Sequence, residues 1–172
     1  MENITKNQNI SFYEENTVTL FEQYQSLSFE SVHQSWLSKL TLSHYQSALD
    51  IGAGSGRDAL ALSEKGLCVT VIEPAKSLMD KGVQLTGGKV RWKSDILPEL
   101  STLASETFDL ILISAVWMHL TIEQQSQSLK RISCLLSDNG MLIISLRHGD
   151  FKDGRKAFDV NATRLINEAN TH

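Results

Sequence analysis

Two cysteines in 172 residues are too few for a disulfide framework. Cys68 and Cys134 stand in apolar surroundings, Leu67-Cys68-Val69 and Ser133-Cys134-Leu135-Leu136, and read as packing thiols in a reducing compartment. No apolar run approaches the ~18 residues of a membrane span, and the polar opening from Met1 to Asn9 lacks the apolar centre of a secretory signal. A cytoplasmic protein with no membrane partner is expected. Basic charge is scarce as well: 16 Lys and Arg face 20 Asp and Glu, a net charge of -4, which argues against a nucleic-acid partner. No repeat, low-complexity tract or linker divides the chain. What remains is globular composition, 41% hydrophobic and 21% charged, in a single domain over 1–172 with a small molecule as the default substrate.

What is present is organised around Ser47 to Asp58, Ser-Ala-Leu-Asp-Ile-Gly-Ala-Gly-Ser-Gly-Arg-Asp. A short apolar run containing Leu49 and Ile51 passes through Gly52, Gly54 and Gly56 into Ala59-Leu60-Ala61-Leu62. That pattern predicts a strand, a turn and a helix start. Glycines accept positive φ and let a ligand lie against the backbone, and the free N–H groups of a helix's first turn point at the same spot. A ligand site is expected here.

Upstream, residues 1 to about 11 read as polar and loose, Tyr13 to Tyr24 as a first helix, and the stretch from Ser28 as a second, N-capped by Ser28 with Phe29, Val32, Trp36, Leu37 and Leu40 on one face. Downstream, Arg57 to Lys65 reads as a helix ended by Gly66, Leu67 to Ile72 as a strand, and Ala75 onward as a helix running to Gly87-Gly88. Val90 to Lys93 reads as a third strand, Pro98 to about Leu103 as a short helix, and Phe108 to Ile113 as a central strand. Thr121 and Gln124 form a capping-box signature before a helix that buries Leu129, Ile132, Leu135 and Leu136. Asp138-Asn139-Gly140 predicts a turn, Met141 to Leu146 a fifth strand, and Thr163 to Ala169 a last helix. Strands alternating with helices predict an α/β fold: an open, mainly parallel sheet with helices on both faces and ligands bound at the C-terminal strand ends.

Those ends carry the chemistry. Glu73 closes the second strand at an offset from the turn suited to the hydroxyls of an unphosphorylated ribose. Asp95 closes the third, where an acid accepts from an exocyclic amine such as that of adenine, with Ile96 beside it to pack on the base. Asp50 directly precedes the turn, an unfavourable place for a carboxylate facing a pyrophosphate. The turn reads Gly-x-Gly-x-Gly, because position 57 is Arg, and not the Gly-x-Gly-x-x-Gly of dinucleotide sites. An adenosine bearing an ammonium and a carboxylate fits an acid-flanked turn better.

Taken together, these residues resemble the class I S-adenosylmethionine-dependent methyltransferases. Leu49 to Asp58 is similar to the family's first motif, Val71-Ile72-Glu73-Pro74 to its ribose-binding acid, Ser94-Asp95-Ile96 to its adenine motif and Phe108 to Leu120 to its fourth motif. The likeness covers about Leu40 to Leu146. It implies a Rossmann-like sheet ordered 3-2-1-4-5, an N-terminal helical cap over 1–46, a cofactor-binding core over 47–146, and a loop and helix over 147–172. It also implies S-adenosyl-L-methionine as cofactor, S-adenosyl-L-homocysteine as product, and no metal. Its cofactor-binding residues would be Asp50, Gly52, Ala53, Gly54, Gly56, Asp58, Glu73, Pro74, Asp95, Ile96, Ser114 and Ala115, with Ser114 and Ala115 flanking the sulfonium. His119, just past the fourth motif, is the candidate base or orienting residue; a helix-start histidine satisfied by backbone is the plainer reading.

Other side chains have plainer readings too. His33 could face the pocket from the lid but reads more plainly as helix surface, His148 stands at the ligand edge of the sheet but reads as a surface loop residue, and Tyr13, Tyr24 and Trp36 could wall a substrate cavity but read as core. The family's sheet ends in an antiparallel pair that has no counterpart before His172, so a truncated chain, or a fifth-strand edge covered by the tail or by a second copy in a homo-oligomer, is expected. The leading function is methyl transfer to a small molecule; the alternative is cofactor binding without transfer because the final strands are missing. A nicotinamide oxidoreductase is disfavoured by the glycine spacing and Asp50, and no Asn-Pro-Pro-Tyr-like motif points to base methylation.

Overall fold

The computed structural model describes residues 2–171, and the side chains of residues 8–171. Three helices come first, α1 (Glu2–Glu15), α2 (Thr17–Gln25) and α3 (Phe29–Leu37); α4 (Arg57–Glu64), α5 (Lys76–Thr86), α6 (Ile122–Ser133) and α7 (Ala162–Ala169) follow. Between them run β1 (Ser47–Ile51), β2 (Cys68–Ile72), β3 (Val90–Lys93), β4 (Phe108–Ser114) and β5 (Leu136–Ser145). The strands form one sheet in the order β3-β2-β1-β4-β5, every pair parallel. This is the expected order, with β1 at the centre and its register fixed by Ala48 opposite Val69 on one side and Leu110 on the other.

Both faces of the sheet are covered, and the period-two alternation of strand side chains shows how. Leu49, Ile51, Ile111 and Ile113 point into one core with Trp117, Leu129 and Ile132. Ala48, Leu110 and Leu112 point into the other with Phe29, Leu62, Val69 and Val71. Parallel strands buried on both faces therefore read as continuous apolar runs in the sequence. None of the described helices is long and apolar enough to cross a membrane.

Several expectations are corrected. The first residues are helical from Glu2, and the cap holds three helices where two were expected. What anchors α1 is tertiary: Glu14 accepts from the backbone N–H groups of Lys76 and Ser77 and from the Ser77 hydroxyl, capping α5, whose own N-cap, Ala75, has no side chain to do so. Asp138, Asn139 and Gly140 lie inside β5 instead of before it. Phe108 pairs with Leu136 and Leu110 with Met141, so five steps along β5 (141 − 136) match two along β4 (110 − 108), and the excess bulges at Asn139, φ 63°. The helix expected after Pro98 shrinks to a 3₁₀ turn at Ser101–Leu103. Both cysteines are exposed, Cys68 as the first residue of β2 and Cys134 at the end of α6; their apolar neighbours point inward while they do not.

Candidate functional site

The C-terminal ends of β1, β2 and β4 open into a cavity of about 320 Å³, roofed by Asn9, Ile10 and Tyr13 of α1 and Tyr24 of α2. Asp50, Gly52, Ala53, Gly54, Asp58, Glu73, Pro74, Asp95, Ile96, Ser114, Ala115 and His119 all line it. Gly56 does not. A Cβ there would lie 2.7 Å from the Trp92 ring, so Gly56 serves packing between the turn and β3. Gly52 and Gly54 do face the site, at φ 73° and 56°; a Cβ would meet Val116 at 2.5 Å in the first case and Tyr24 at 3.2 Å in the second. Close approach and positive φ both require glycine here.

Four carboxylates line this cavity in different states. Glu73 is 5% exposed; its Oε2 accepts from Gly54 N–H and its Oε1 from Ala75 N–H, each at 2.8 Å. Burial nevertheless pushes its pKa up to about 7. Asp50 is 1% exposed, and its Oδ2 has no hydrogen-bond partner among the described residues. Burial, reinforced by the negative charge of Asp58, holds Asp50 well above the usual carboxylate range. Asp58 is the opposite case: burial opposes its charge, but hydrogen bonds from His33 and Arg57 prevail and lower its pKa. Those bonds run from His33 Nε2 to Oδ2 at 2.8 Å and from Arg57 Nε to Oδ1 at 2.7 Å.

The fourth, Asp95, is also held within its own loop. Its Oδ1 accepts from Ile96 N–H at 2.8 Å, and its Oδ2 accepts from the N–H and hydroxyl of Thr102, each at 2.7 Å. The carboxylate thus folds the loop after β3, and Ile96 and Leu97 line the cavity from that loop. His33 is corrected: it is 1% exposed, not on a helix surface. At the end of β4, Ala115 sits at φ 54°, a strained value for a residue with a Cβ, and its N–H donates to Ser145 Oγ at 2.9 Å.

His119 also lines the cavity, in contact with α1. Asn9 Oδ1 accepts from Lys156 N–H at 3.0 Å, which turns the Asn9 amide nitrogen toward His119 Nδ1 at 3.1 Å. Nδ1 is then the acceptor, and Nε2 carries the proton it shares with the Tyr13 hydroxyl at 3.0 Å. Arg155 Nη1 donates to the same hydroxyl at 2.9 Å, and Phe151 stacks on the imidazole at a centroid distance of 5.3 Å. Burial lowers the His119 pKa to about 4, so the ring is neutral at physiological pH. Sequence reasoning did not find Asn9 or Arg155, and preferred a core reading for Tyr13 and Tyr24, which line the cavity. Asn9 and Arg155 lie 147 and 142 residues from their partners Lys156 and Tyr13, and no local pattern encodes such contacts.

Comparison with known proteins adds the family. The model of a family described as a methyltransferase domain matches residues 49–142. An uncharacterized methyltransferase of Alkaliphilus oremlandii (strain OhILAs) is 30% identical over 105 residues, 56% of this chain and 44% of that protein. The chain thus aligns with less than half the length of that relative. Among solved structures, the N-methyltransferase NodS from Bradyrhizobium japonicum WM9, in complex with S-adenosyl-L-homocysteine, superposes with a TM-score of 0.70 at 20% identity, covering 95% of this chain and 85% of that one. A TehB-like SAM-dependent methyltransferase from Corynebacterium glutamicum gives a TM-score of 0.59 at 24% identity, covering 73% and 64%. At these identities the structural likeness establishes the fold.

Proposed function

The chain belongs to the methyltransferase-domain family, and from that premise we propose that its cavity binds S-adenosylmethionine and that the protein transfers the methyl group to a small-molecule acceptor. The observation that carries this reading is the unpartnered, buried Oδ2 of Asp50, set beside Gly52 and Gly54 with Glu73 at the next strand end. A buried polar atom without a partner calls for one. A ligand ammonium is the complement of Asp50 and of the ionised Asp58, and ribose hydroxyls are the complement of Glu73. Ile96 and Leu97 offer an apolar wall for a base, and Gly52, Gly54 and Ala115 bring backbone to the ligand.

When bound, S-adenosylmethionine supplies a methyl group on a sulfonium centre whose leaving thioether needs no acid. The protein's share is to align the acceptor and to exclude water. Asn9, Tyr13 and His119 form a hydrogen-bonded polar group in the cavity lining. With a pKa near 4, His119 is a weak base, and with both ring nitrogens taken by Asn9 and Tyr13 we assign it to orienting the Tyr13 hydroxyl toward the acceptor instead of to deprotonating the acceptor. The roof of α1 and the volume of about 320 Å³ favour a small acceptor. Cofactor binding without transfer, the alternative, rested on the missing final strands, and no observation in residues 2–171 favours it.

Isothermal titration with S-adenosylhomocysteine and with NAD tests the binding half: the former is expected to bind and the latter not. Preference for NAD, or no binding of S-adenosylhomocysteine, overturns the proposal. Transfer of tritiated methyl from S-adenosylmethionine into a small-molecule metabolite extract tests the catalytic half.

A further inference from the structure

His33 lies outside the segment that carries the family match and does not line the cavity, yet it is one of the most completely specified side chains in the protein. It is 1% exposed and packs between the rings of Phe29 and Trp36 at centroid distances of 4.9 and 5.0 Å. Trp36 Nε1 donates to His33 Nδ1 at 3.0 Å, which leaves Nε2 as the protonated nitrogen. That Nε2–H donates to Asp58 Oδ2 at 2.8 Å. Asp58, 5% exposed in the first turn of α4, lines the cavity alongside Asp50. Its other oxygen is held by Arg57, whose Nη1 donates to the Tyr24 carbonyl at 3.1 Å. A chain of hydrogen bonds therefore runs from the indole of α3 through an imidazole to a carboxylate on the cavity wall.

We propose that His33 is a positioning residue for the amino-acid end of the bound cofactor: its Nε2–H fixes the Asp58 carboxylate at the cavity wall, where Asp58 and Asp50 together receive the ligand's ammonium. The inference rests on the S-adenosylmethionine reading of the cavity. A buried carboxylate that loses a charge-assisted hydrogen bond either takes up a proton or turns away, and both remove a negative charge from the ammonium's neighbourhood. The adenosine end, at Glu73 and Ile96, has no contact with this chain of bonds and is expected not to respond.

The test compares two probes by titration calorimetry: S-adenosylhomocysteine, which has the amino-acid end, and 5′-methylthioadenosine, which lacks it. His33→Leu is expected to weaken S-adenosylhomocysteine by roughly tenfold or more and to leave 5′-methylthioadenosine unchanged. His33→Gln, whose amide nitrogen reaches about as far as Nε2, is expected to restore most of the loss, and His33→Asn, too short to reach, is not. Equal losses for both probes, or no loss for either, overturn the proposal. If the leucine variant does not fold, the Gln and Asn pair gives the same contrast. Failure of the wild-type protein to bind S-adenosylhomocysteine overturns the underlying reading instead, so the two failures are told apart.

Discussion

At the scale of single residues, the site depends on how each carboxylate is paid out between burial and hydrogen bonding. Glu73 has its folded pKa raised from 4.5 to about 7. Between those values the folded protein keeps a proton that the unfolded chain releases, so the group's contribution to stability is complete below pH 4.5 and is lost as pH rises through 7. Denaturation of the ligand-free protein is therefore expected to show stability falling by on the order of 1–3 kcal/mol over that window, with a flatter profile in Glu73→Gln. The same variant is expected to weaken S-adenosylhomocysteine by roughly 1.5–3 kcal/mol, as a charged acceptor for ribose hydroxyls is lost; calorimetry checks it. His119, with its pKa near 4, is expected to show no shift of its ring proton resonance between about pH 6 and 8, where a free imidazole titrates. Glu73 was legible in the sequence because an acid that closes an apolar strand has little structural reason to be there. His33 was not, because its partner Asp58 is 25 residues away on another helix and a histidine next to an apolar helix face carries no sign of what it bonds.

At the scale of elements, Trp92 of β3 is wedged between the glycine turn and α5. A Cβ at Gly82 would lie 2.2 Å from its ring and one at Gly56 2.7 Å, while its indole N–H donates to the buried Thr86 hydroxyl at 3.0 Å. Glycine to alanine in an exposed helix interior adds about 1 kcal/mol of stability. At Gly82 the overlap with a large, packed ring reverses the sign, and Gly82→Ala is expected to cost roughly 1–3 kcal/mol in urea denaturation. Glu14 joins α1 to the start of α5, so Glu14→Ala is expected to cost about 1 kcal/mol and to raise hydrogen exchange across α1 more than across the sheet. The parallel strands were legible because burial on both faces leaves apolar runs, and parallel pairing fixes where ligands gather. The helical start of α1 was not, since its residues carry no apolar stripe and its anchors lie on α5 and in the 147–160 loop. The β5 bulge was misread because Asp-Asn-Gly favours turns and bulges alike; only the β4 register decides.

At the scale of the whole molecule, a ligand that binds the folded state alone stabilises it by mass action. S-adenosylhomocysteine at a hundred times its dissociation constant is expected to add about 2.7 kcal/mol, a rise in melting temperature of about 5–10 °C in a thermal melt, and NAD at the same concentration none. The sheet lies between two segments that close the chamber over it: Asn9 and Lys156 exchange backbone and side-chain hydrogen bonds across 147 residues. On a ribosome that makes roughly 5–20 residues per second, about 7–30 s separate the two partners. The turn, the strand-end acids and His33 with Asp58 can all assemble in that interval, while the roof waits for the loop near Lys156. The strands and helices that floor the chamber are thus synthesised before the loop that closes its roof, and the enclosure forms on a scaffold already in place.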